Sequence, residues 1–252
     1  MSVPGDTQDQ PSSKHWVALF YETRGRIKES EGYSTHRVTS DISYICEAGY
    51  FDHENYFRID GRPVLFVYLT RALEEMGLLT DVIQMMRQAA KACGQDLYLV
   101  GDHVFREAPT LDNNDSDNNN IFGNKLLGEN CLPQDDLMDA VTNYDVYGSM
   151  GSDGYYAGQD DVDLYYERQL DWKDWTRHHC PTCGFIPAVS PGYNDLGVRP
   201  EKQHRPLSRR LSSRKSEGSL FQAALERAVY LVDEKVQNLL MVNSFNGKHS
   251  IL

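Results

Sequence analysis

Pro63-Val64-Leu65-Phe66-Val67-Tyr68-Leu69 is a near-continuous apolar run. A strand wet on one face alternates polar and apolar residues, whereas a strand buried on both faces reads as an unbroken apolar string. This run is therefore expected to lie inside a sheet covered on both sides. Working outward, residues 16–22 form a short apolar run ending in Glu22, and residues 36–48 carry Val38, Ile42, Ile45 and Cys46 at helical spacing. On the other side, residues 79–93 place Val82, Ile83, Met86 and Ala90 on one helical face, closed by Gly94. Residues 96–101 are the next strand.

The alternation continues to the end of the chain. Residues 139–144 read as a strand running into Asp145-Val146-Tyr147-Gly148, and residues 161–178 as a helix. Residues 184–190 read as a strand leading into Pro191-Gly192-Tyr193-Asn194-Asp195. Residues 217–236 are expected to be one long helix, and residues 239–245 the last strand. Six β runs with helices in most intervals imply an α/β fold with a mainly parallel sheet and right-handed crossovers. An open doubly wound sheet and part of an eight-stranded (β/α) barrel both fit. No Gly-x-Gly-x-x-Gly turn follows the first strand, which removes support from a dinucleotide-binding sheet. Polar or aromatic groups end several strands: Glu22, Tyr68, Asp102-His103, residues 144–147, residues 190–195 and residues 244–246. A barrel carries its chemistry at such ends. With about six of eight strands, the chain is either an open sheet or an incomplete barrel.

At 252 residues the chain can bury a substantial core. Residues 1–14 are polar and aperiodic and are expected to be a disordered lead-in to a folded unit over 15–252. Their lack of an apolar segment also argues against a signal peptide, so the chain as written is expected in the cytosol. A net charge of -12 argues against nucleic acid as a partner, and no stretch is long enough for a membrane span. The 15 tyrosines suit sugar-binding clefts, since a ring covers C–H patches while its hydroxyl bonds a sugar hydroxyl; half-buried structural tyrosines are the plainer alternative.

The five cysteines are too few and dispersed for a disulfide framework, and Cys46 and Cys93 are expected to be buried thiols. Cys180-Pro181-Thr182-Cys183 ends a helix instead of opening one, and has no second pair to complete a zinc site; a surface turn is expected. Residues 112–118 resemble a calcium loop in composition but lack its glycine and terminal glutamate, so the insert over 111–120 reads as a flexible loop. The basic residues 205–215 could hold phosphate or be a kinase target, and read best as a mobile connector on the ligand-facing side. No metal and no cofactor is implied. Glu22 could serve a ligand or pair with Arg24 or Arg26; Arg199 could clamp a ligand or a loop acid; Asn246 could bond a sugar hydroxyl or cap its strand.

Several of these pieces recur together in one group of proteins. Leu19-Phe20-Tyr21-Glu22, then Asn55-Tyr56-Phe57-Arg58-Ile59-Asp60-Gly61-Arg62-Pro63-Val64-Leu65-Phe66-Val67-Tyr68, residues 140–149, residues 185–195, Arg199-Pro200 and Asn243-Ser244-Phe245-Asn246 stand in order. This series resembles glycoside hydrolase family 99 and the related family 71, a group that includes the endo-α-mannosidases and bacterial polysaccharide-locus domains. The resemblance runs from about residue 16 to residue 246. It implies a (β/α)8 barrel of TIM type acting on α-mannosides or related glycans, with retention of anomeric configuration and the substrate 2-hydroxyl as internal nucleophile. By position, Glu22 would sit in the sugar cleft with Tyr68, and Tyr147 or Tyr144 would bond a sugar hydroxyl. Arg199, Asn246 and His249 would line the same cleft.

The resemblance fails at its catalytic motif. The group continues Ser-Phe-Asn with Glu-Trp-His-Glu, and those two glutamates are its acid/base pair. Here Gly247-Lys248-His249-Ser250 follows Asn246, so Gly247 and Ser250 stand where the carboxylates belong. Two-carboxylate hydrolysis needs one group to give a proton and another to take one; glycine does neither, and serine has no tuned acidity. The group also has βα units before residue 16 and a helix after the last strand. The expectation is therefore an incomplete, truncated barrel that is catalytically inactive as written. Its open edges invite a protein partner or self-association, and its cleft a glycan. The group itself is often Golgi-luminal or secreted.

Overall fold

The structure is a computed structural model that describes residues 15–29, 32–105, 107–108, 138–150, 155–194 and 206–243. Its strands are β1 (Leu19–Tyr21), β2 (Lys28–Glu29), β3 (Gly32–Tyr33), β4 (Arg58–Ile59), β5 (Arg62–Val67), β6 (Tyr98–Asp102), β7 (Ala140–Thr142), β8 (Gly184–Phe185), β9 (Ala188–Val189) and β10 (Met241–Val242). The helices are α1 (Thr23–Ile27), α2 (His36–Glu47), α3 (Thr70–Glu75), α4 (Leu79–Ala92), α5 (Val146–Ser149), α6 (Gln159–His179) and α7 (Ser219–Ala228), with a 3-10 turn over Glu234–Val236.

The main sheet runs β1-β5-β6-β7-β8, every pair parallel, with Leu19 opposite Leu65, Val64 opposite Tyr98, Val100 opposite Ala140 and Ala140 opposite Gly184. β4 joins as an antiparallel hairpin turned at Asp60 and Gly61, both at positive φ. The main parallel strands lie side by side in chain order, and among the described residues helices fill the connections β1 to β5, β5 to β6 and β7 to β8. That is the order of a (β/α) barrel. Among the described residues the sheet does not close.

Period-2 alternation divides the side chains between two faces. Leu65, Val67, Leu99, Val141 and Phe185 face outward into a core with Val38 and Ile42 of α2, Val82, Ile83 and Met86 of α4, and Trp172 and Trp175 of α6. Val64, Tyr98, Val100, Ala140 and Ile186 form the inner face with Phe57, Phe66 and Met241. A groove of about 520 Å³ on that face is lined by Trp16 and Ala18 beside β1 and by Leu239, Leu240, Met241 and Val242 around β10. One edge of the main sheet, at β1, and the separate β9-β10 pair therefore face a common groove.

Three local expectations are corrected. The strand expected over 184–190 is two short strands that change partner. Ile186 N–H donates to Val141 O (2.9 Å) on the β7 side, while Met241 N–H donates to Pro187 O (2.9 Å) and Asn243 N–H to Val189 O (2.8 Å) on the other. Between them Pro187 has no N–H, and Ala188 N–H donates to the buried Gln169 Oε1 at 2.7 Å. The ladder therefore breaks and shifts to the parallel pair β9-β10.

The helix expected over 217–236 stops at Ala228. The next residues leave the helix, with Asp233 extended (φ -123, ψ 127), and are held by tertiary bonds: Lys173 Nζ donates to Val232 O (3.0 Å), and Phe185 N–H donates to Asp233 Oδ2 (3.1 Å). The stop sets Val236 against Gly184, where an added Cβ would lie 2.3 Å from Val236 Cγ1. Only glycine admits that approach.

Cys46 and Cys93 are not free thiols. They form a disulfide joining α2 to the end of α4, with Cα atoms 6.3 Å apart. The turn of Cys180 and Cys183 exposes Pro181 and Thr182, but both sulfurs are buried in the outer core. The lead-in over 1–14, the insert over 111–120 and its Asp/Asn-rich residues 112–118 lie outside the described residues.

Candidate functional site

In a parallel sheet every strand delivers its carboxyl end to the same rim, and there the backbone leaves the ladder and frees side chains for a ligand. β1 ends at Glu22, β5 at Tyr68, β6 at Asp102 and His103, β7 at Asn143 and Tyr144, and β9 at Ser190. The inner-face alternation brings aromatic rings together at this rim. Phe20 sits 6.2 Å from Phe66, 5.8 Å from Tyr68 and 5.0 Å from Tyr144, and Tyr68 meets Tyr144 edge-on at 5.1 Å. Phe20 is 37% exposed, so the cluster presents a ring face to solvent. Glu22 is exposed beside it. The Tyr68 hydroxyl is held above the ordinary phenol range by burial first, then by the negative charges of Asp102 and Glu22.

Asp102 organises this group from beneath. It is buried, and its carboxylate accepts hydrogen bonds from Leu69 N–H (3.1 Å) and Tyr144 N–H (2.8 Å), with Arg71 at 3.3 Å. One side chain thus fixes the backbone just after Tyr68 and that of Tyr144 itself. Leu69 is held at φ 51, and the chain turns there into α3. Burial drives the Asp102 carboxyl above the usual carboxylate range, against the opposing pull of Arg71 and the two N–H groups. Beside it His103 Nε2 lies 3.3 Å from Glu74 Oε2 and its Nδ1 3.2 Å from Thr70 Oγ1, all three residues being buried. These contacts dock α3 against β6.

A second aromatic pair stands farther along the rim. Tyr147, in the short α5, stacks on Tyr193 at 4.5 Å and an interplanar angle of 25°. α5 is set by Asp145, whose Oδ1 accepts from Gly148 N–H (2.9 Å), and by Asn143, whose Nδ2 donates to Ser149 Oγ (2.8 Å) and Tyr165 Oη (2.9 Å). Asn243 Nδ2 donates to Asn143 O (2.8 Å), so β10 helps to position the same corner.

Of the residues the sequence pointed to, Glu22, Tyr68 and Tyr144 are brought together, and Tyr147 belongs to the neighbouring pair. Arg199, Asn246, Gly247, His249 and Ser250 lie outside the described residues. Phe20 was missed as a site residue, although it stands two residues before Glu22 and period 2 puts it on the same face. Tyr193 had a signal in its place after a strand. Asp102 had one too, but nothing local marks it as the organiser. A further cavity of about 270 Å³ opens between α1 and α3, lined by Thr23, Arg24, Leu69 and Glu75 among others. Its Ile27 and Leu73 belong to the outer core, so it lies behind the rim. Among the described residues no three His, Cys, Asp or Glu side chains are grouped to hold a metal ion, and no helix is long and apolar enough to cross a membrane.

The model of the family described as "Glycosyltransferase WbsX" matches residues 12–247. No curated protein sequence matches the chain. Among solved structures, it is similar to the GH99 endo-α-mannosidase of Bacteroides thetaiotaomicron in complex with bis-tris-propane, at 20% identity and a TM-score of 0.49, covering 85% of this chain and 53% of that one. A glycoside hydrolase-like protein follows at 19% identity and a TM-score of 0.48, covering 85% and 52%. A second structure of the Bacteroides enzyme gives 20%, 0.46, 85% and 50%. The chain spans about half the length of the solved structures it matches.

Proposed function

The chain belongs to the WbsX family, and from that premise we propose that it binds a glycan at the rim formed by Glu22, Phe20, Tyr68 and Tyr144 without hydrolysing it. The carrying observation is the composition of that rim. It has an aromatic face, phenol hydroxyls and one exposed carboxylate at the carboxyl ends of β1, β5 and β7. Rings cover the C–H faces of a sugar, and hydroxyls and a carboxylate fix its orientation. The neighbouring carboxylate, Asp102, is sealed beneath the rings and spends its lone pairs on backbone N–H groups.

Glycoside hydrolysis of the usual kind needs two carboxyl groups flanking one bond. The resemblance to family 99 would place them at 247 and 250, where this chain has Gly247 and Ser250. Tyr147 and Tyr193 would extend the cleft along the glycan, with Arg199, Asn246 and His249 as further contacts. The family's description as a glycosyltransferase and its likeness to hydrolases share one requirement, a bound sugar chain. Recognition is the part of that chemistry the rim supports.

Calorimetry against mannose-containing oligosaccharides tests this. We expect binding, a loss of about tenfold or more in Y144A, and no product release from α-mannosyl oligosaccharides. Turnover that disappears in E22Q would overturn the non-hydrolysing reading. No heat across a glycan panel would overturn the binding itself.

A further inference from the structure

Residues 209–217, Arg-Arg-Leu-Ser-Ser-Arg-Lys-Ser-Glu, set four cations against one carboxylate in a chain whose net charge is -12. Arg209 Nε and Arg210 Nε both lie against Glu217, at 3.2 Å from Oε1 and 3.1 Å from Oε2, with side chains 44% and 45% exposed. Arg214 and Lys215 are exposed in the same turn. One glutamate cannot neutralise this group, and crowding like charges costs free energy unless something anionic shares the site.

The turn is also firmly placed, contrary to the mobile connector expected from its sequence. Leu207 and Tyr193 exchange backbone hydrogen bonds of 2.7 and 3.0 Å, and Ser208 N–H donates to Tyr155 O at 2.7 Å. Leu220 N–H donates to Arg209 O (3.1 Å), and Leu211 N–H donates to Ser219 Oγ (3.1 Å). The Arg209 stem lies on the backbone of Gly192, where an added Cβ would come within 2.8 Å of Arg209 Cγ. Residue 193 is the partner of the Tyr147 stack. The structure thus ties a cationic turn to the aromatic pair at the ligand-facing rim.

We propose that this turn makes the cleft selective for an acidic glycan, one carrying a carboxylate, sulfate or phosphate ester on a sugar near the Tyr147–Tyr193 stack. Arg209 and Arg210 are specificity-determining: their guanidinium groups bind the anion in plane, alongside Glu217 or in its place. The inference rests on the glycan-binding reading, and the two fail separately.

The full chain is titrated calorimetrically with a neutral mannosyl oligosaccharide, a uronate-containing oligosaccharide and a phosphomannosyl oligosaccharide, at about 50 and about 300 mM salt. R209Q/R210Q is compared with R177Q, an exposed arginine on α6, after circular dichroism confirms that both are folded. We expect at least one acidic ligand to bind about tenfold tighter than the neutral one at low salt. High salt and R209Q/R210Q should both shrink that advantage, while R177Q keeps it and leaves neutral binding unchanged. Equal affinity for all three ligands would overturn the inference and leave the glycan reading standing. So would an acidic preference that survives R209Q/R210Q, or equal binding of polyglutamate. If neither neutral nor acidic glycans bind, both readings fall.

Discussion

At the scale of single residues, Asp102 connects folding chemistry to the rim. Its carboxylate is the acceptor for two backbone N–H groups that belong to different strand ends, so losing it frees both Tyr68 and Tyr144 from a common anchor. An asparagine of the same shape offers one acceptor oxygen and turns an NH2 group toward an N–H donor. D102N should therefore lose about 1–3 kcal/mol at neutral pH, as expected for an orphaned buried donor. The pH dependence has a definite sign. Because the folded pKa is raised, the folded chain keeps a proton that the unfolded chain has already released, over a window that starts near the ordinary carboxylate value of about 4. Stability from this group is complete below that window and is lost as pH rises through the folded pKa. Urea melts from acid to neutral pH should show the wild-type advantage over D102N narrowing as pH rises. An advantage that widens would mean that Asp102 is stabilised as the anion.

At the scale of elements, the partner change between β8 and β9 depends on one side chain of α6. Gln169 is buried and its Oε1 accepts Ala188 N–H at the point where Pro187 interrupts the ladder. Q169L fills similar space but offers no acceptor, which leaves the N–H of Ala188 without one. We expect a loss of about 1–3 kcal/mol, seen as a lower urea midpoint with an unchanged slope. A midpoint equal to wild type would show that the N–H finds another acceptor and that Gln169 does not hold the break. The early end of α7 belongs to the same scale. Propensity would continue the helix toward Val236, yet the bonds from Lys173 and Phe185 take Val232 O and the Asp233 carboxylate. That frees Val236 to pack on Gly184.

At the scale of the molecule, the disulfide closes a long loop. Cys46 and Cys93 are 47 residues apart, and their bond joins α2 to α4 across the outer core. Such a cross-link restricts the unfolded chain, a contribution of about 2–4 kcal/mol for loops of this kind. Reduction, or C46S/C93S, should lower stability by about that amount in denaturant melts. Five free thiols, in place of three, by titration of the unreduced, denatured chain would show that the bond is not made. The bond also bears on compartment, because structural disulfides persist in oxidising surroundings and the polar first residues led to a cytosolic expectation.

The fold and the site were legible to different depths. The order of strands and helices and the parallel character of the sheet could be read from residues 63–69 and their neighbours, because apolar period reports local burial and burial on both faces demands a covered parallel strand. Glu22, Tyr68 and Tyr144 could be named because strand ends in such a sheet share one rim. Tertiary structure alone decided the rest. It set Asp102 under two strand ends, handed the chain from β7 to β10 through Gln169, stopped α7 at Ala228, joined Cys46 to Cys93, and laid the basic turn against Gly192 and Tyr193. Each of these is a pairing between residues far apart in the chain. A one-dimensional pattern records how much a residue is buried, and only the crossing of elements in space determines which distant donor, acceptor or ring it meets.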